Sequence, residues 1–361
     1  KYAPLEGSEH VMLLPAQNTH DRQVAMWLLL CAAVIFGMIL LGGVTRLTNS
    51  GLSMVEWKPL MGVVPPLSEQ AWQETFEKYR QYPEYQKINR GMSLEDFKYI
   101  FMYEYLHRVL GRLIGILYFL PMMFFLLKGR VRKGLAPRLW LLFVMGGFQG
   151  LLGWYMVKSG LVDNPRVSQY RLTAHLGVAV AIYAYMLWLA FSLLLRPTGT
   201  RGGEGKALGR WALLLLGLVY LMILSGGLVA GTDAGFSYNT WPLMGPTFVP
   251  EAAYAGTPVW LNAFEDVTTI QFNHRMFAYL LFVALHVFAF FVLRTTGEPS
   301  TRLGVLLVVI ALWVQVVLGI STLLLHVPVP LAAAHQGGAV VLLSAMVYLS
   351  YLVVRRGHSP A

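Results

Sequence analysis

The chain has 361 residues, of which 56% are hydrophobic and 13% charged, with a mean hydropathy of +0.56 and a formal net charge of +10. That balance is the composition of a polytopic membrane protein. The basic residues collect in short loops between apolar spans rather than on one polar face, which excludes nucleic acid as a partner. The only cysteine, Cys31, lies inside an apolar span, so an intrachain disulfide, thiol catalysis and a cysteine metal cluster have no support.

The chain begins with a polar segment, residues 1–23, expected to be cytoplasmic. The apolar run that follows is too long for a signal-peptide core and is expected to be a retained helix. A hydrocarbon core of roughly 30 Å needs about 20 mostly apolar residues per crossing. Eight runs qualify, near 24–44, 101–127, 139–158, 172–195, 208–230, 271–293, 303–325 and 331–354. The second carries three charges near its start, at Glu104, Arg108 and Arg112. Lys128, Arg130, Arg132, Lys133 and Arg138 fill the second-to-third loop, and Arg196, Arg201, Lys206 and Arg210 the fourth-to-fifth. Arg294 and Arg302 mark the sixth-to-seventh loop, Arg355 and Arg356 the tail, while 231–270 holds no Lys or Arg. The positive-inside rule then places both termini in the cytoplasm and the long loops 45–100 and 231–270 outside. In the first of these, Ser68 is placed to cap an amphipathic helix through about Tyr79, and Ser93 to cap the run leading into the second span. A loop of this length is usually functional.

The halves resemble each other. Gly42-Gly43 pairs with Gly226-Gly227, Pro59-Leu60-Met61-Gly62 with Pro242-Leu243-Met244-Gly245, and His107-Arg108 with His274-Arg275. Gln149 and Leu152-Gly153 pair with Gln315 and Leu318-Gly319, and His175 with His335, the offsets falling from 184 to 160. Four spans per half is an even number, so the repeat is parallel about an axis along the membrane normal. The expected fold is all-α, with eight transmembrane helices in two parallel-repeat four-helix bundles, over 24–198 and 199–361.

Four of the nine histidines, His107, His175, His274 and His335, sit in the first turns of even-numbered spans and so lie toward the outer face. In an up-down bundle the second and fourth helices are diagonal, and their inward faces meet across the core where such folds hold cofactors. Two opposed imidazoles suggest axial ligation of haem iron, whereas zinc would want three or four ligands. The residue one turn after each histidine is small (Gly111, Ala179, Ala278 and Ala339), leaving room for a flat macrocycle. Small residues at this spacing also serve plain helix packing, and a membrane histidine also serves as an interhelical hydrogen bonder. His286 is expected to be structural, and His10, His20, His326 and His358 have no assigned role.

Arg108 and Arg275 could pair with haem propionates. Snorkelling to lipid headgroups is the alternative, and Arg108 has a third option in an i,i+4 pair with Glu104. Gln149 and Gln315 are expected to join helices. Glu104 shares the face of His107, and its counterpart is Gln271, near-isosteric but unable to ionise. That difference suggests proton handling at the first site only; the alternative is that Glu104 neutralises Arg108 or Arg112.

The pattern resembles the haem A synthases of the mitochondrial and proteobacterial type over nearly the whole chain. The residues that carry the likeness are Gly42-Gly43-Val44-Thr45-Arg46-Leu47-Thr48, the stretch Glu104-Tyr105-Leu106-His107-Arg108 and Arg171-Leu172-Thr173-Ala174-His175. Phe272-Asn273-His274-Arg275 and Ala334-His335-Gln336 complete it. The resemblance implies oxidation of the C8 methyl of haem O to a formyl group by successive hydroxylations, giving haem A for cytochrome oxidase. It makes His107 and His175 the ligands of the substrate haem, His274 and His335 those of a permanent haem b, and Glu104 the catalytic glutamate. No mitochondrial presequence is visible, so a bacterial inner membrane is expected, and the histidine positions put the haem sites on its periplasmic side. The implied partners are haem O, an unidentified electron donor, haem O synthase, cytochrome oxidase assembly factors, membrane lipid and a second copy of the chain. Some bacterial relatives carry a cysteine pair in the first outer loop. This chain does not, so any role of that pair is absent or passes to the longer loop. Rival readings are a di-haem electron-transfer protein, which would not need Glu104 against Gln271, and a haem carrier, which would not need a permanent second haem.

Overall fold

A computed structural model describes residues 19–56, 64–161, 167–195 and 203–356. The Pro59–Gly62 motif and most of the polar start lie outside the described residues. The first span is α1 (Thr19–Leu47), followed by two loop helices, α2 (Glu69–Arg80) and α3 (Pro83–Lys87). The next three spans are α4 (Leu94–Leu127), α5 (Ala136–Gly160) and α6 (Gln169–Leu194). The second half contains α7 (Gly203–Gly231), the short α8 (Asn262–Glu265), α9 (Val267–Thr295), α10 (Pro299–Leu324) and α11 (Val329–Arg356). Eight of these helices are long and apolar enough to cross a membrane, and the chain is an integral membrane protein.

Local chemistry sets the ends. Ser68 Oγ accepts from Ala71 N at 3.1 Å and starts α2, as expected. Ser93 and Asp96 form a reciprocal capping box, so the second span starts at Leu94 instead of near 101. The run leading into it is continuous helix because nothing interrupts it between the cap and the apolar stretch. Residues Thr19–Gln23 likewise belong to α1 rather than to a separate tail.

Packing follows two four-membered rings. Helix α1 packs on α4 and α6, with α5 between α4 and α6; α7 packs on α9 and α11, with α10 between α9 and α11. Among the described residues, α4 has no substantial contact with α6, nor α9 with α11, so each pair is diagonal. Helices α6, α11, α1 and α7 meet between the rings. Helix α11 is 67% buried over its most apolar window and α5 only 6%, which puts α11 at the centre and α5 against lipid.

Contacts between the rings recur at the positions the sequence pairs. A methyl group on Gly177 would lie 2.9 Å from Leu224, and one on Gly337 would lie 2.9 Å from Leu40. Asn49 and its partner Asp233 both adopt left-handed backbone, at φ 50° and 57°, which their short polar side chains tolerate. Arg46 donates to Asn49 at 3.2 Å and to Asp233 at 2.8 Å and so ties the two turns together.

Candidate functional site

The four paired histidines stand near the ends of the two diagonal pairs that adjoin loops 45–100 and 231–270: His107 on α4 opposite His175 on α6, and His274 on α9 opposite His335 on α11. Each ring rests edge-on against a glycine of the preceding span. A methyl group on Gly42 would lie 3.0 Å from His107 Cε1, and one on Gly153 would lie 3.0 Å from His175 Cε1. The equivalent distances are 3.5 Å from Gly226 to His274 and 2.8 Å from Gly319 to His335. At Gly42, Gly153 and Gly319 an added side chain would press on the ring, so these three glycines seat their imidazoles, while Gly226 leaves ordinary contact distance to His274. The sequence shows them as repeat partners; only the packing shows what they seat.

The rings differ in their second contact. Nδ1 of His107, His175 and His335 is buried without a hydrogen-bond partner. His274 Nδ1 instead meets Ser225 Oγ at 3.0 Å. Counted back along the repeat, Ser225 corresponds to Leu41, so the first half has no equivalent. Gln149 Nε2 donates to the carbonyl of His175 at 2.9 Å, an interhelical tie of the expected kind.

Glu104 is 3% exposed and fully engaged. Its Oε2 accepts from Ser53 Oγ at 2.8 Å and from Met54 N at 2.7 Å, and its Oε1 accepts from Arg108 at 2.6 Å. Arg108 also donates to the carbonyls of Met54 at 2.9 Å and Glu56 at 3.2 Å. Of the three roles open to Arg108, the structure contains the ion pair with Glu104, combined with a clamp on the outer loop. In the second half Gln271 Nε2 donates to Tyr238 O at 3.1 Å, and Arg275 donates to Tyr238 O at 2.7 Å and Thr240 O at 2.9 Å. The residues clamped, Met54 and Tyr238, are themselves repeat partners. Arg275 keeps Nε buried and unpaired, a donor left for an anionic group.

Over the first clamp sits an aromatic cap that the sequence did not reveal. Tyr79 stacks on Phe97 at 5.0 Å, and Trp72 meets Phe101 edge-on at 5.1 Å. Tyr79, fully buried, donates to Glu84 at 3.1 Å and accepts from Asn89 at 2.8 Å. Burial holds the Glu84 carboxyl up at about 8.

Residues 25–347 match the model of the COX15-CtaA family, described as cytochrome oxidase assembly proteins. The chain belongs to that family. A heme A synthase of Nitrosospira multiformis is 50% identical over 340 residues, covering 93% of this chain and 95% of the relative. One from Parvibaculum lavamentivorans is 48% identical, over 92% and 94% of the two chains. The human heme A synthase COX15 is 43% identical, over 96% of this chain and 86% of its own.

The side chains fit haem. Each diagonal pair offers two imidazoles and no third ligand, and among the described residues no cluster of three or more His, Cys, Asp or Glu could hold a bare metal ion. Gly115, two turns beyond His107 on its face, has no neighbour within 4 Å of an added methyl, so there is room beside the ligand helix.

Proposed function

We propose that this chain is a membrane haem A synthase that oxidises the C8 methyl group of haem O to a formyl group. The observation that carries this is the asymmetry of two otherwise matched histidine pairs in a member of this family. His107 and His175 hold the substrate haem in the 24–198 half, with its outer loop 45–100. His274 and His335 hold haem b in the 199–361 half, with its outer loop 231–270. Bound haem iron supplies the electron-transfer and oxygen chemistry.

The chain's own groups support this division. A ligating histidine is held more firmly when its other ring nitrogen has a partner, and Ser225 gives one to His274. His107 lacks that partner, which suits a haem that must leave as product. Only the first half has a carboxyl group on the face of one of these histidines. Glu104 lies one helical turn before His107, held rigidly by Ser53, Met54 and Arg108. Ser53 Oγ is the hydroxyl that donates to Glu104 Oε2 at 2.8 Å. The Nε of Arg275 is the donor available to a haem b propionate.

The localisation that goes with this reading is a bacterial inner membrane, with the described ends on the cytoplasmic side and the haems toward the periplasm, and it is supported by the even number of spans and the basic loops. The test is Glu104→Gln, which copies Gln271. Because the second half folds with the amide, the variant should keep both haems and lose haem A formation. Normal haem A formation would remove Glu104 from the chemistry. Extraction of haem b alone from an actively expressing strain would favour the electron-transfer reading.

A further inference from the structure

The two halves differ below the histidines as well as beside them. On α4, Gly111 and Gly115 continue the His107 face; on α5, Gly146 and Gly150 share the face of Gly153, which contacts His175. At Gly115, Gly146 and Gly150 an added methyl would meet nothing within 4 Å. Their repeat partners are Phe282, Leu312 and Val316, and the partner of Gly147 is Trp313. In the second half Phe282 and Leu312 stand at the seam between α9 and α10, while Trp313 is 52% exposed. Phe282 meets Trp313 edge-on at 5.0 Å, and Leu312 is 4% exposed.

The first seam closes deeper, where Phe119 of α4 packs on Phe143 of α5 at 5.0 Å. At 1.5 Å per residue, the space below the histidine runs about 18 Å to Phe119, against about 12 Å to Phe282 in the other half. It is bounded by hydrocarbon, with Ile114, Leu117 and Met145 packed behind it in the core.

We propose that the seam between α4 and α5, walled by Gly115, Gly146 and Gly150 and floored by Phe119 and Phe143, is the subsite for an isoprenoid chain. Such a chain is the substituent that distinguishes haem O from haem b. Phe282 and Leu312 take the corresponding places in the other half and restrict that site to a haem without the chain. The small residues alone would mean only close helix packing. Here an added methyl at each of the three glycines would meet nothing, they continue the faces that carry His107 and the Gly153–His175 contact, and the matched half carries Phe282 and Leu312 in their place. The proposal rests on the haem A synthase reading and names what selects its substrate.

Gly115→Phe and Gly146→Leu copy the second half into the first at positions where the backbone has room. The readout is the haem extracted from the purified protein, together with titration of haem O and haem b into protein whose first site is empty. The expected result is that the first site of either variant loses its preference for haem O over haem b by about tenfold or more, while the haem at His274 and His335 stays in place as a check on folding. Phe282→Gly should conversely admit haem O to the second site, and it decides the matter if the first two variants do not fold. Unchanged preference in all folded variants would overturn the proposal and leave the seam to lipid acyl chains. A wild type that selects haem O but forms no haem A would sink the synthase reading and leave the subsite standing.

Discussion

Replacing the four glycines beside the imidazoles by alanine tests whether they seat the rings. Carbon–carbon contact is comfortable from about 3.5 Å. An alanine methyl at Gly319 would lie 2.8 Å from His335 Cε1 and 3.3 Å from Nδ1, so ring or backbone must yield. Overpacking of this kind costs about 1–3 kcal/mol. It is offset by the roughly 0.8–1.0 kcal/mol that alanine gains over glycine within a helix. At Gly226 the methyl would lie 3.5 Å from His274, an ordinary contact, and only the helix gain remains. Gly319→Ala should therefore be the worst, Gly42→Ala and Gly153→Ala intermediate at 3.0 Å, and Gly226→Ala neutral or stabilising. The assay is haem content per polypeptide and the thermal midpoint followed by haem absorbance, with each variant affecting only the haem of its own pair. If Gly226→Ala were as damaging as Gly319→Ala, the rings would not be seated by these contacts.

Three further expectations concern the groups around the pairs. Arg108→Ala leaves Glu104 buried without its cation and should destabilise the outer cap by about 3–5 kcal/mol, while Arg108→Ala with Glu104→Gln should recover part of that loss in a denaturation series. Ser225→Ala should weaken haem b retention at His274 by about 10–100-fold, measured as the rate of haem transfer to an apo-globin acceptor, with the first-site haem unaffected. For Glu84 the folded value of about 8 stands above its ordinary 4.5, so the folded cap binds more protons than the unfolded one. The cap's stability should be full below about pH 4.5 and fall as pH rises through about 8. Limited proteolysis within 69–92 should then quicken with rising pH, and Glu84→Gln should flatten the profile.

Much of this was legible in the sequence because the signals are local or repeated. Eight apolar runs give eight helices, Ser68 and Ser93 declare their own helix starts, and the four histidines stand out by recurring with small followers. The roles that stayed hidden depend on segments far apart in the chain. Arg108 and Arg275 look like free membrane-boundary cations until the outer loops fold back and present the carbonyls of Met54 and Tyr238. Nothing local marks Ser225 as a partner of His274, although its replacement by leucine at position 41 is the trace that comparison of the halves could have followed. The aromatic cap around Tyr79 and Glu84 has no counterpart in the second half, so the repeat could not flag it.

The division of labour between the two pairs is tested most directly by extracting and separating the haems of the wild type, His175→Ala and His335→Ala. The wild type should yield haem b together with haem O or haem A. His175→Ala should yield haem b alone, and His335→Ala should lose haem b. Loss of haem b from His175→Ala with haem O retained, or the converse for His335→Ala, would contradict the assignment of substrate to the first pair and resident cofactor to the second.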